Sequence, residues 1–256
     1  MPSSSTIRRL VLIALLLAAP LANADPVGAD RHGEQSCPMA TSSRPIRPLP
    51  QGPDGSAHSP SPAAAAPAAP SPTAPDYRHL LETTPLGWPR LDRWCIWVQP
   101  LGEPGPGLRF EQRWQQAVDG ALASWGSELS LVMVSDPARA QILIHRRRPP
   151  LLDAQGRRRA SHGRALLELL EVERQGAWRP EPRVLVLLSP DQRLEALQAT
   201  ALHELGHAIG LWGHSDELGD AMAAVPGAQP KLSLSARDRA TVRWLYQQPS
   251  RFGPPP

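Results

Sequence analysis

His203 and His207, four residues apart, are the side chains of this chain best spaced for chemistry; Glu204 lies between them and His214 follows beyond a glycine. In a helix, residues i and i+4 share a face, so both imidazoles point at one spot. Neutral imidazole is a preferred zinc ligand, and two in this register hold one tetrahedral ion from a single rigid element. Glu204 sits beside the metal but angled away from ligation, which suits it to take a proton from a metal-activated water. Gly210 can end the helix in a left-handed turn, bringing His214 round as third ligand. A fourth position left to water and substrate separates a catalytic zinc from a structural one. Solvated helix histidines are the competing reading. They account for the helix pair, but not for a third histidine placed just after a glycine. Asp216 and Asp220 carry carboxylates that also bind zinc, and with a histidine beside them they are read as supporting loop residues.

His203, Glu204, His207, Gly210 and His214 together resemble the metzincin zinc peptidases, whose pattern is HExxHxxGxxH followed by a methionine turn. Within that clan, Gly206 to Leu211 and His214-Ser215 are most similar to the matrixins. The third histidine comes one residue late because Gly213 is inserted before it, and the usual ligand position, now Gly213, has no side chain. Met222 follows His214 at the matrixin spacing. The resemblance implies that it forms a hydrophobic floor beneath the zinc without binding it; the plainer reading is a buried loop methionine. The matrixin proline expected soon after it is displaced to Pro226. The family further implies an extended peptide substrate adding to an exposed strand, and the strand after Gly163 is the candidate for that edge.

These residues need rigid elements under them. Ser189-Pro190-Asp191-Gln192 reads as a capping box opening the zinc helix, whose buried face is Leu194, Leu197, Ala201, Leu205 and Ala208. Upstream, Trp94 to Val98 reads as a strand. Phe110, Trp114, Val118, Ala121, Leu122 and Trp125 recur at helical spacing up to Gly126. Leu129, Leu131 and Met133 alternate as a strand, and Ala140 to His145 form another. Arg164–Glu173 and Arg183–Leu188 read as a hairpin joined through Gln175-Gly176 and Pro180. A last helix starts at Ser235, with Asp238 completing its capping box, and buries Val242, Leu245 and Tyr246. The expected fold is therefore α+β, a metzincin-like twisted mixed sheet with two long helices. The zinc helix leads into the methionine turn and then the C-terminal helix.

The ends bound the domain. Arg8-Arg9, an apolar run from Leu10 to Ala19 and Ala22-Asn23-Ala24 read as a secretory signal cut after Ala24, too short for a membrane anchor. This predicts a secreted or periplasmic protein. Residues 25–76 are rich in Pro, Ala, Ser and Gly and read as a disordered spacer, with an inhibitory pro-segment as the sharper alternative. Residues 77–251 form the peptidase domain and 252–256 a tail. The chain has two cysteines. In an oxidising compartment, a disulfide between Cys37 and Cys95 stands beside free thiols and a cysteine switch, for which Ser36-Cys37-Pro38 lacks the family's flanking residues. Arg146–Arg148 and Arg157–Arg159 are read as a solvated basic loop; the net charge is only +3 and no stacking aromatic is interleaved, so no nucleic acid is expected. Asp153 and His162 alone do not suggest a second zinc, calcium is left open, and nothing in the sequence sets an oligomeric state. The leading function is a zinc endopeptidase with Glu204 as general base. Another zinc hydrolase (a cell-wall amidase or deacylase) and a catalytically silent binding module are the alternatives.

Overall fold

The computed structural model describes residues 36–46, 75–152 and 161–253. The signal sequence and its cleavage site at Ala24, spacer residues 47–74, Asp153, the Arg157–Arg159 cluster and the last three prolines lie outside the described residues.

Six strands form one mixed sheet: β1 (Ala40–Pro45), β2 (Arg93–Val98), β3 (Ser130–Met133), β4 (Ile142–Arg146), β5 (Gly163–Arg174) and β6 (Ala177–Leu188). Their spatial order is β1-β5-β6-β4-β2-β3. The strands from β6 to β3 run parallel, while β5 is antiparallel to both β6 and β1. Apolar side chains explain the middle of the sheet: Ile96, Ile142, Ile144, Val184, Val186 and Leu188 are all fully buried.

The β5–β6 hairpin is longer and tighter than its sequence suggests. Its turn is Gln175-Gly176 alone, with φ of 53° and 76°, the left-handed pair that a two-residue hairpin requires. Pro180 and Pro182 lie within β6, opposite Glu171 and Leu169. Both sit at positions that do not bond to β5, and β4 reaches β6 only from Val184 onward, so no ladder donor is missing.

Helices α1 (Leu108–Gly126) and α2 (Leu194–Ala208) pack together on the sheet, and α3 (Ala236–Gln247) closes the domain. The α1 face formed by Trp114, Ala117, Val118, Ala121, Leu122 and Trp125 is buried. The Trp125 indole N–H donates to Leu202 O at 2.8 Å and that of Trp114 to Leu188 O at 3.2 Å, so both large rings enter the core with their polar atom satisfied. Phe110, expected on that face, is instead 43 % exposed, and the Arg109 and Arg113 guanidiniums cover its ring at 4.7 and 5.3 Å.

Three further expectations are corrected. The zinc helix starts at Leu194 with Arg193 as its N-cap and no side-chain cap. Ser189 is buried one turn earlier, its N–H bonded to His162 O and its hydroxyl engaged with Asp191, so it closes a turn at the end of β6. The stretch read as a spacer contains β1, which pairs with β5 from Ala40↔Arg174 to Pro45↔Leu170. Cys37 and Cys95 form a disulfide, so Cys37 is not a thiolate free to reach a metal. Phe252 is also buried, extending the domain past Arg251. The last helix is capped as read, with Ser235 and Asp238 making a reciprocal capping box; it buries Val242 and Leu245, while Tyr246 is only half-buried. No helix among the described residues is long and apolar enough to cross a membrane.

Candidate metal centre and its cleft

His203 and His207 project from the last two turns of α2, and His214 comes from the loop that follows. Their ring centroids lie 4.9 to 5.3 Å apart, and one ligand atom from each falls within 4.8 Å of the others. The helix ends as its glycine requires. Gly210 has φ +112°, with Gly210 N–H bonded to His207 O and Leu211 N–H to Gly206 O.

The inserted Gly213 has a physical reason. Its φ is +138°, and a Cβ there would sit 2.1 Å from Leu80 O. The Tyr77–Thr84 segment lies directly on the loop: Leu81 bridges Gly213, and Glu82 N–H donates to Trp212 O at 2.6 Å. The extra residue carries the chain under that segment and returns His214 to the other two imidazoles.

Two of the three rings are oriented by backbone. His203 Nδ1 is 2.9 Å from Ala221 O and His207 Nδ1 is 2.8 Å from Leu211 O. A ring that donates from Nδ1 leaves its Nε2 lone pair for a metal. Burial pushes the His203 pKa down to about 4 and lowers those of His207 and His214 as well. Burial thus disfavours the protonated rings, and a cluster of neutral imidazoles is a donor set that fits zinc. The rival carboxylates are engaged elsewhere. Asp216 and Asp220 pair with Arg237 at 2.8 and 3.0 Å, and Asp220 also accepts from the Ser235 hydroxyl at 2.6 Å.

Met222 is fully buried beneath α2; a Cβ on Gly206 would lie 2.1 Å from its sulfur. The turn around it is held by Ser215 N–H to Met222 O at 2.7 Å and by the Ser215–Ala223 bridge. Asp238, in the first turn of α3, accepts from Ala221 N–H at 2.8 Å and from the Tyr77 hydroxyl at 2.8 Å. Ala221 then presents its carbonyl to His203. The last helix is therefore wired to the first of the three histidines.

A cleft of about 860 Å³ opens over the triad, lined by Gly163, Ala165, His203, Glu204, His214 and Pro226 among others. Glu204 faces the start of β5. Ala165 N–H bonds its carboxylate and Arg164 is nearby; both favour ionisation, but burial outweighs them and raises the pKa to about 7. Gly163 makes the approach possible, since a Cβ there would stand 2.5 Å from Thr200 and 2.6 Å from Glu204 Cγ. Neither Gly163 nor Ala165 was singled out for this from sequence. The available signal was a glycine at the start of an apolar strand, which often marks close backbone approach.

The matrixin family model matches residues 110–247, more than half of the chain. The chain belongs to the matrixin family. The match runs from α1 through α3 and contains all three histidines, Glu204 and Met222. Matrixins are zinc-dependent metallopeptidases, so this matrixin is a zinc metallopeptidase with a mixed α+β fold. No curated protein matches the chain. The expected substrate edge needs one correction: among the described residues, β5 is an open edge only from Gly163 to Glu168, because β1 and Ile46 cover the rest.

Proposed function

We propose that this matrixin is an endopeptidase that works outside the cytoplasm, with His203, His207 and His214 holding one zinc and Glu204 as general base. The observation that carries this reading is the convergence of three imidazoles, one buried and two half-buried, beside a carboxylate that faces an edge of β5 left open among the described residues. Bound zinc would lower the pKa of its water to about 7 and polarise the substrate carbonyl.

The chain's own residues supply the rest. Ala165 N–H orients the Glu204 carboxylate toward the cleft, where it takes a proton from the attacking water and passes it to the leaving amine. The outer edge of β5 from Gly163 to Glu168, which β1 leaves uncovered, offers an extended peptide backbone groups that bind main chain irrespective of side chains. Met222 packs under the helix and keeps the His203–His207 face from sinking. The signal-like start of the chain and the Cys37–Cys95 disulfide support an oxidising, extracytoplasmic location, with residues 1–24 removed.

The test is cleavage of an unbiased peptide library by the zinc-loaded chain, beside Glu204→Ala. Cleavage should fall by about 100-fold to 10,000-fold while one zinc per chain is retained. Hydrolysis that persists in Glu204→Ala would remove the assigned role. Turnover of peptidoglycan fragments without cleavage of any peptide would replace the endopeptidase by an amidase.

A further inference from the structure

β1 contributes almost nothing to the core: Thr41 to Pro45 are exposed along their whole length. Yet the strand is fixed at several points. The Cys37–Cys95 disulfide ties its leading segment to β2. Arg139 donates to Cys37 O at 3.0 Å, and Arg174 bonds Pro38 O while pairing with the buried Glu181 at 2.8 Å. Arg44 pairs with Glu171 at 2.6 Å and lies 4.6 Å over the Trp178 ring. This much anchoring of a solvent-exposed strand gives it one evident structural consequence, which is where it stops.

It stops in line with the cleft. Ile46 N–H donates to Leu169 O at 3.0 Å, one register step beyond Pro45↔Leu170. Toward the metal centre, the next β5 positions are Glu168, Leu167 and Leu166, followed by Ala165, whose N–H holds Glu204. A peptide added antiparallel to β5, the direction β1 itself takes, would run along the same line and point its N-terminal end at Ile46.

Building on the proposed peptidase reading, we infer that β1 closes the substrate edge on its N-terminal side. Among the described residues, three edge positions stay open in strand geometry, opposite Glu168, Leu167 and Leu166, before the residue opposite Ala165. A fourth meets β1 and must leave the sheet. The chain is thereby selective for cleavage close to a substrate's N-terminus or in a segment that bends three residues before the site.

The test is a peptide series lengthened one residue at a time on the N-terminal side of a bond the chain cleaves, or of a fixed library consensus if none is cleaved. Binding is measured to zinc-loaded Glu204→Ala full-length chain, and kcat/KM is measured on the wild type. The same series is run on Arg44→Pro/Cys37→Ser, which removes a β1 ladder donor, the Glu171 pair and the tether. Thermal unfolding and zinc content verify that this variant stays folded. Affinity should rise about fivefold per residue up to the third and then level off in the wild-type background. In the strand-released variant it should go on rising through the fifth. Should the variant not fold, the break after the third residue in the wild-type background alone decides.

Continued gain through the fifth residue in the wild-type background overturns the inference even if cleavage is efficient. A break at the third residue with no cleavage keeps the inference and removes the endopeptidase. Neither binding nor cleavage of any peptide overturns both.

Discussion

Replacing Gly213 by alanine puts the displaced third histidine to a direct test. The backbone there has φ +138°, where an L side chain is strained by about 1–3 kcal/mol. The new Cβ would begin 2.1 Å from Leu80 O, roughly 1 Å inside any acceptable contact. Relief means pulling the loop from Tyr77–Thr84, at the expense of the Glu82 N–H to Trp212 O bond, which is worth about 1 kcal/mol. Together these amount to about 2–4 kcal/mol against the one conformation that brings His214 to its partners. If the loop bears it all, zinc affinity falls about 30-fold to about 1000-fold. Chelator competition at fixed pH reads this, with thermal unfolding of the metal-free chain run alongside. Gly219→Ala is the control, because it lies in the same connection and has nothing within 4 Å of the added carbon. A Gly213→Ala chain that binds zinc within threefold of wild type and unfolds at the same temperature would refute the account of the inserted residue.

His214→Ala should lose its zinc or hold it far more weakly, because Asp216 and Asp220 are committed to Arg237; one tightly held zinc per mutant chain, measured by elemental analysis, would mean that a carboxylate closes the site. Reducing the Cys37–Cys95 bond, which spans 58 residues and is the chain's single disulfide, should cost up to about 4 kcal/mol in urea unfolding, and an unchanged midpoint would mean that the strap adds no constraint. Asp76 has its carboxyl pKa held below the ordinary 3.8, chiefly by the Arg78 hydrogen bond. A depressed folded pKa gives stability that is present above about pH 3.8 and lost as the pH falls through the folded value, so Asp76→Asn should flatten the stability curve in that acid range and leave its slope near neutrality unchanged.

The clustering of the three histidines and the elements that carry them were legible because they follow local rules. His203 and His207 share a helix face by spacing alone, Ser235 and Asp238 cap α3 as the pattern required, and Gly210 turns the chain where a left-handed residue was expected. What escaped was set by tertiary contact. β1 has no alternating apolar pattern, since Thr41 to Pro45 face water; backbone pairing, the disulfide and surface contacts hold it. Ser189 met every local criterion for a helix cap, but its N–H bonds His162 O and its hydroxyl stays with Asp191, so α2 begins later. The role of Gly163 follows from its distance to Thr200 and Glu204, which belong to an element some forty residues along the chain. Phe110 kept the helical period but fell at the exposed first turn, where arginines cover it more readily than the core does.

The link from Asp238 through Ala221 to His203 also sets an order of assembly during synthesis. A ribosome that has released everything up to Ser235 has already delivered all three histidines and Glu204, but not the carboxylate that fixes the methionine turn and, through it, the first imidazole. The last helix is thus the latch of the candidate centre: a nascent or C-terminally truncated chain carries the three histidines and Glu204 without the frame that aims them.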